Sequence, residues 1–489
     1  MAPKESLVKM LGEERVIDDP KILASYAETR SFGPHFAPWL AVRPDGPEAV
    51  ERLVGWANES RTPLVPVSSK GLKIRGDSVP SVPEAVVVDL SDMKKILSVN
   101  RQHRIAVVEP GVTYGELNAA LAEENMVMPM SLRPKAGKSV MTDVLEGEPR
   151  LNPMVQWSYY DPLRCMEVTW GEGVRMFTGE AAAGARDLES QWADEKWQVN
   201  VAGPFMLDFY RVLTAAQGSM GIVTWASLKC AVKPLLHRMF VASANSLSEL
   251  EGFVYRAMWT RFPDEIFIMN RSQLASLLGK TSGEIAVLKP LLPPWTVAVG
   301  VAGRELLPEE RFEARSKDLT DIAQENGLDL RESIDSLDGD AVLREASSAC
   351  VGTYWKDLWA GSSQSIFFVT QLERAPLFLK RVTELAESLS YPVGDIGVYI
   401  QPKHLGSAYH MEFTLPYDPD SARETRLAEE LFDAASREIA GLGGYYSRPY
   451  GKWAGIQLNK DAQSLLALKR IQGIFDPNGI MNPGKLAAV

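Results

Sequence analysis

The sequence predicts an α+β fold of two or more domains, on three observations. From Val42 onward, short apolar runs alternate with helix-start signals. From Leu235 to Gly441, strand-like runs alternate with charged helices, which reads as a mixed α/β cap with an antiparallel sheet. The 489 residues exceed what one hydrophobic core ordinarily serves.

The elements follow in order. "AVRPDG" is a strand entering a turn, and "PEAVERLVGWANES" is a helix with proline at its start. "TPLVPVSS" is a short strand. "EAVVVDLSDM" is a buried strand, because its apolar run is unbroken. "RIAVVEPGVTYGELNAALAEENM" is a strand, a glycine turn and a helix, with Thr113 and Glu116 at capping-box spacing. Between Pro129 and Gly203 the periodicity is poor, so a structured loop region is expected there. "QGSMGIVTWASLKC" is a small-residue turn feeding a β-branched and aromatic strand. A domain boundary is expected near Pro234, in "AVKPLLHRM". In the cap, "RMFVASA" and "PWTVAVGVAG" are strands and "ERFEARSKDLTDIAQENG" is a helix. The chain ends in a helix and a Pro/Gly-rich tail, "KDAQSLLALKRIQGIFDPNGIMNPGKL".

Composition excludes some classes. The 52 basic and 63 acidic residues give a net charge of −11, which disfavours nucleic-acid binding. Cys165, Cys230 and Cys350 lie far apart, so no disulfide framework, structural zinc site or iron–sulfur cluster is expected, and no metal is assigned. The N-terminus has charges throughout and no apolar core of a leader, and no run is long enough to span a bilayer. A cytoplasmic protein is the expectation.

Four segments carry candidate chemistry. They are "SSKGLKIRGD" (Ser68 to Asp77), "EPGVTYGELNAAL" (Glu109 to Leu121), the turn from Gly218 to Thr224, and "FDPNGIMNPGKL" (Phe475 to Leu486). A pyrophosphate needs N–H donors on a turn without bulky side chains, helped by hydroxyls. Ser68, Ser69, Gly71 and Gly76 suit that task, with Lys70, Lys73 or Arg75 adding charge.

In this order the segments resemble the FAD-binding superfamily of vanillyl-alcohol oxidase, p-cresol methylhydroxylase, glycolate oxidase and D-lactate dehydrogenase. The resemblance covers most of the chain. It implies a two-lobed PCMH-type FAD-binding domain over 1–234, a substrate cap over 235–441, and a segment over 442–489 that returns to the first domain. It also implies FAD as cofactor. Gly218, Ser219, Gly221, Ile222 and Thr224 would line the adenosine–pyrophosphate end. Pro110, Gly111 and Val112 would contact the same dinucleotide, and Asn482 and Lys485 would lie near the isoalloxazine. The first loop departs from the family's glycine-rich pattern at Lys70, Leu72, Lys73 and Ile74. Met141 to Gly173 replaces a Gly/Ala/Asn-rich stretch.

The reaction class is read from the later motifs. Hydroxy-acid members of the superfamily carry a His-x-Gly-Asp-Gly-Asn-x-His run and a later Ser-x-Glu-His-Gly run. Here "KHLGSAYHMEF" supplies His404, His410 and Glu412, and Pro449-Tyr450 stands where Glu-His would be. His410 and Glu412, two apart on a strand, face one way, and Tyr399 and Gln401 present a similar face. Arg448 is suited to a carboxylate or a phenolate. Tyr446, Arg448 and Tyr450 loosely resemble the phenolate-binding neighbours of phenol-oxidising members. His410 is the first candidate base and Tyr450 the second. Two readings stay open. One is an FAD-dependent dehydrogenase of a hydroxy acid or hydroxylated aromatic, passing electrons to oxygen, a cytochrome or an iron–sulfur partner. The other is a flavin-poor, non-catalytic subunit of a larger oxidoreductase. His35 and His103 are candidate flavin tethers.

Overall fold

The computed structural model describes residues 3–33, 35–71, 73–154, 162–183, 187–193 and 208–486. Three sheets organise them. The first has strands Val16–Ile17, Leu40–Val42, Val86–Asp89 and Leu64–Val67, in that spatial order. Its last three strands run parallel. The proline-started helix Pro47–Ser60 lays Val50, Leu53 and Val54 on this sheet, against Leu40, Val42 and Val86.

The second sheet is antiparallel, ordered Ile96–Asn100, Ile105–Val108, Gly221–Lys229, Leu163–Trp170 and Arg175–Phe177. Its helix Tyr114–Glu123 starts in a complete capping box, with Thr113 and Glu116 satisfying each other's backbone N–H. Tyr114, Leu117 and Leu121 fill the core beneath it.

The third sheet has six antiparallel strands, ordered Leu236–Ala244, Trp295–Gly303, Glu265–Asn270, Gly397–Lys403, Ala408–Tyr417 and Ser362–Thr370. Helices Ser248–Thr260, Pro308–Glu325, Ala375–Ser388 and Ala422–Gly441 share one apolar core with it. Helices Arg271–Leu278 and Gly339–Ala346 belong to a second. The tail beyond Phe475 returns to the first sheet: Leu64 N–H donates to Ile480 O (2.8 Å) and Asn482 N–H to Leu64 O (2.8 Å).

One departure from the sequence reading is instructive. Within the stretch expected to be loops, Leu163–Trp170 is an interior strand of the second sheet. Arg164 and Glu167 break its apolar run. Glu167 is nevertheless buried, accepting from Thr224 Oγ1 (2.7 Å) and lying 3.3 Å from Arg175 Nε. A strand whose polar residues are satisfied by distant partners shows no clean period in the sequence. Residues 155–161, 184–186 and 194–203 of that stretch lie outside the described residues. The three cysteines are buried free thiols. Among the described residues no helix is long and apolar enough to cross a membrane.

Candidate functional site

The loop after strand Leu64–Val67, the turn at Gln217–Ile222 and the strands Gly397–Lys403 and Ala408–Tyr417 meet around one cavity of about 570 Å³. Ser68, Ser69, Lys70, Gly71 and Arg75 line it from the loop. Pro110, Gly218, Gly221 and Ile222 line it from the other two segments. Tyr399, His410, Glu412 and Tyr450 close the far end.

The remaining residues expected to touch a cofactor hold the loops instead. A Cβ on Gly76 would stand 2.9 Å from Ser31 Cβ, and one on Gly111 2.5 Å from Ser91 O, so both mark close internal approaches. Val112 is fully buried, and its carbonyl accepts from Val140 N–H (3.0 Å). Ser219 Oγ donates to Ala216 O (2.7 Å), and Thr224 Oγ1 is committed to Glu167. Asn482 Nδ2 donates to Asp77 O (2.8 Å) and Gln217 O (2.6 Å), and Lys485 Nζ donates to Gly76 O (2.6 Å). The tail therefore staples the first loop to the third turn. Burial holds the Lys485 ammonium down at about 8.

The strand register sets the catalytic end. Tyr399 pairs with Glu412 and Gln401 with His410, so all four side chains share one face. Tyr399 OH donates to Gln401 Oε1, and Gln401 Nε2 donates to Arg150 O. Gln401 thus positions this end from behind the cavity wall. His410 Nε2 lies 3.5 Å from Glu412 Oε2. Burial, reinforced by Arg448 and Lys403, lowers His410 from 6.5 to about 4 against the pull of Glu412. At neutral pH this imidazole is therefore uncharged. Burial alone would raise Glu412, but the Lys356 ammonium and the His410 contact together outweigh it and keep the carboxylate ionised well below its usual range. The cation facing Glu412 is thus Lys356. Burial pushes the Tyr450 phenol far above its ordinary range, so it keeps its proton at neutral pH.

Arg448 also has a different employment from the one expected. Its Nη1 lies 2.7 Å from Glu148 Oε2, and its guanidinium stacks 4.0 Å from the Phe367 ring centroid. Arg75 pairs with the same Glu148, lies 3.3 Å from Glu146, and stacks at 4.7 Å over Phe367 and 5.4 Å over Tyr450. Tyr446 is also away from the cavity: its OH donates to Ser436 O (2.8 Å) and its ring stacks on Trp453. Neither His35 nor His103 lines the cavity, and both are exposed.

Sequence reasoning missed Asp143, Glu146 and Glu148, whose carboxylates lie within 4.8 Å of one another. Lys138 is 2.9 Å from Asp143 and 2.6 Å from Glu146, and Arg150 is 2.7 Å from Asp143. Burial and the neighbouring Asp77 and Glu148 charges raise Glu146, while Arg448 and Arg75 drive Glu148 well below its range despite burial. The signal was the dense charge of "KSVMTDVLEGEPR", read as a departure from a family pattern rather than as a buried network.

The histidine makes stability depend on pH. Its folded value is depressed, so in the unfolded chain it takes a proton near 6.5 while the folded chain refuses it until about 4. Acidification across that window favours unfolding by roughly 3 kcal/mol in total. Thermal melts from pH 7.5 to 4.5 are expected to show a shallower acid loss for His410→Asn than for the unaltered chain. Parallel curves would remove His410 as the cause.

Comparison with known proteins adds to this geometry. Residues 38–140 match the family described as "FAD binding domain", and residues 368–486 match "FAD linked oxidases, C-terminal domain". The chain is similar to glycolate oxidase subunit GlcD of Bacillus subtilis, with 20% identity over 99% of this chain and 96% of that protein. It is similar to the flavoprotein subunit of 4-cresol dehydrogenase (hydroxylating) of Pseudomonas putida, with 22% identity over 97% of this chain and 93% of that one. Its fold matches that of a 4-ethylphenol oxidase from Gulosibacter chungangensis, with a TM-score of 0.82 at 17% identity, covering 99% and 96% of the two chains. The residues present fit a flavin dinucleotide. A Cβ added to Gly71 or Gly137 would meet nothing within 4 Å, which leaves open space on two facing loops, and the hydroxyls of Ser68 and Ser69 stand beside it. Around His410, Phe367, Tyr399 and Tyr450 offer aromatic walls to a flat ring system.

Proposed function

We propose, on the premise that the chain belongs to the vanillyl-alcohol oxidase and p-cresol methylhydroxylase superfamily of FAD-linked oxidoreductases and takes FAD as its cofactor, that it is a dehydrogenase of a hydroxylated aromatic compound or a hydroxy acid. One observation carries the reading: the cofactor loops and the His410 face border the same cavity. When bound, FAD supplies the hydride acceptor at N5. Ser68, Ser69, Gly71 and Gly218 would hold the dinucleotide end.

The protein's own work is proton handling and orientation. His410, neutral and enclosed, takes the proton of the substrate hydroxyl. Ionised Glu412, fixed by Lys356, stabilises the imidazolium that results. Tyr450, which keeps its proton, would donate a hydrogen bond to the substrate oxygen. The aromatic walls favour a hydroxylated aromatic over a hydroxy acid. Electrons then pass to a partner subunit or another acceptor. The buried free thiols suit a reducing, cytoplasmic setting.

Anaerobic titration of the purified flavoprotein with phenols, benzylic alcohols and hydroxy acids tests this. Bleaching of the flavin by an aromatic member is the expected result. His410→Asn should keep its FAD and lose about 10²–10⁴-fold in the rate of bleaching. An unchanged rate would take the base away from His410, and no bleaching by any member would remove the substrate class.

A further inference from the structure

We propose that Lys73 and Lys135 form a two-cation clamp for the pyrophosphate of the bound dinucleotide, an inference that rests on the FAD reading of this cavity. Six cationic side chains line the cavity. Four are committed to carboxylates. Lys70 reaches Asp92 at the surface (3.2 Å), Arg75 holds Glu148, Lys138 holds Asp143 and Glu146, and Lys356 holds Glu412. Among the described residues, Lys73 and Lys135 pair with no carboxylate.

The two lysines come from facing loops that are sewn together. Ser68 Oγ and Thr142 Oγ1 share a hydrogen bond, and Ser139 N–H donates to Ser69 Oγ (3.0 Å). Lys73 is buried, and its backbone is fixed by Arg30 N–H donating to its carbonyl (2.9 Å). Its ammonium is parked on Ser69 O, inside the first loop. Lys135 lies in a segment anchored to Cys350: Ala136 N–H donates to Cys350 O (2.7 Å), and Cys350 N–H donates to Pro134 O (2.6 Å). Its ammonium stands 5.3 Å from the Tyr354 ring centroid. The open space at Gly71 and Gly137 lies on these same two loops.

Burial lowers both ammonium groups; the charges of Asp77 and Asp89 at Lys73 and of Asp357 at Lys135, none in contact, offset this only in part, and Lys135 adds repulsion at Lys73. Two desolvated like charges with no carboxylate in contact are unfavourable, and a bound pyrophosphate would supply a contacting negative charge. This also accounts for the lysine in a loop where the family keeps small residues: the contact there is a charge as well as a backbone N–H.

The test measures binding by the full chain, stripped of flavin, using FAD, riboflavin and inorganic pyrophosphate as separate probes. Lys73→Met and Lys135→Met should each weaken FAD and pyrophosphate about tenfold or more, the loss expected for one charged hydrogen bond. Riboflavin, which has no phosphate, should bind as before. Lys→Arg at each position should recover most of the affinity, which separates charge from folding. The clamp is overturned if the double Met variant binds FAD and pyrophosphate as tightly as the unaltered chain. It is equally overturned if the variants lose bleaching by hydroxy acids while FAD affinity holds, which would make the pair a substrate-carboxylate site. An unaltered chain that binds pyrophosphate but neither flavin would retain the anion site and sink the cofactor reading. Failure to bind any probe would sink both.

Discussion

Gly218→Val is expected to yield a protein without stoichiometric FAD and with markedly reduced stability. Gly218 has φ +71°, a conformation that a β-branched residue adopts only under strain. Its added Cβ would stand 2.5 Å from Pro66 Cγ, at the end of the strand that delivers the first loop, and 3.7 Å from Asn482 Nδ2. Asn482 is the residue that ties Gln217 to Asp77. The new side chain therefore wedges apart three segments at once. Strain and overpacking together cost on the order of 3 kcal/mol or more. The cofactor is lost because its cradle opens, beyond any direct collision with a phosphate. Flavin content by absorbance and a urea midpoint check both parts. Full flavin occupancy with an unchanged midpoint would show that the turn does not depend on this packing.

Glu148→Ala is expected to have the second large effect. Glu148 is the shared anion of Arg75 and Arg448, which stack on the Phe367 ring. Among the described residues, removing it leaves Arg448 buried beside no other carboxylate and leaves Arg75 with Glu146 alone. Breaking one side of a buried pair costs about 3–5 kcal/mol, chiefly through the charge left behind. The arginines reach Glu148 from the first loop and from the segment after helix Ala422–Gly441, while Phe367 comes from the third sheet. The loss should therefore appear as separation of the lobes, with weaker FAD binding. Double substitution of Glu148 and Arg448 by apolar residues should recover part of the stability, because it removes the orphaned charge. If Glu148→Ala alone leaves the urea midpoint within error, the network contributes nothing measurable and the lobes are held by apolar contacts.

The contrast between these two sites shows what was legible in the chain. Gly218 announced itself: a glycine–serine turn before a β-branched run is a local pattern, and the turn and the strand after it follow from neighbours in sequence. The same holds for the capping box at Thr113 and for the shared face of His410 and Glu412, which needs only the two-residue period of a strand. Glu148 announced nothing. Its partners at positions 75 and 448 stand far off in the chain, and a carboxylate between a glycine and a proline reads as a surface loop.

Outside the stretch from Pro129 to Gly203, the sequence by itself determined the main elements, their order, and which turns lack side chains, because each depends on short-range sterics and periodicity. Only the tertiary structure decided how the charges are shared out. It assigned Arg448 and Arg75 to Glu148, set Lys356 on Glu412, left His410 neutral, and left Lys73 and Lys135 without carboxylate partners among the described residues. The physical reason is that a charge's role depends on its desolvation and on the nearest opposite charge in space, and both are settled when distant segments close around one cavity.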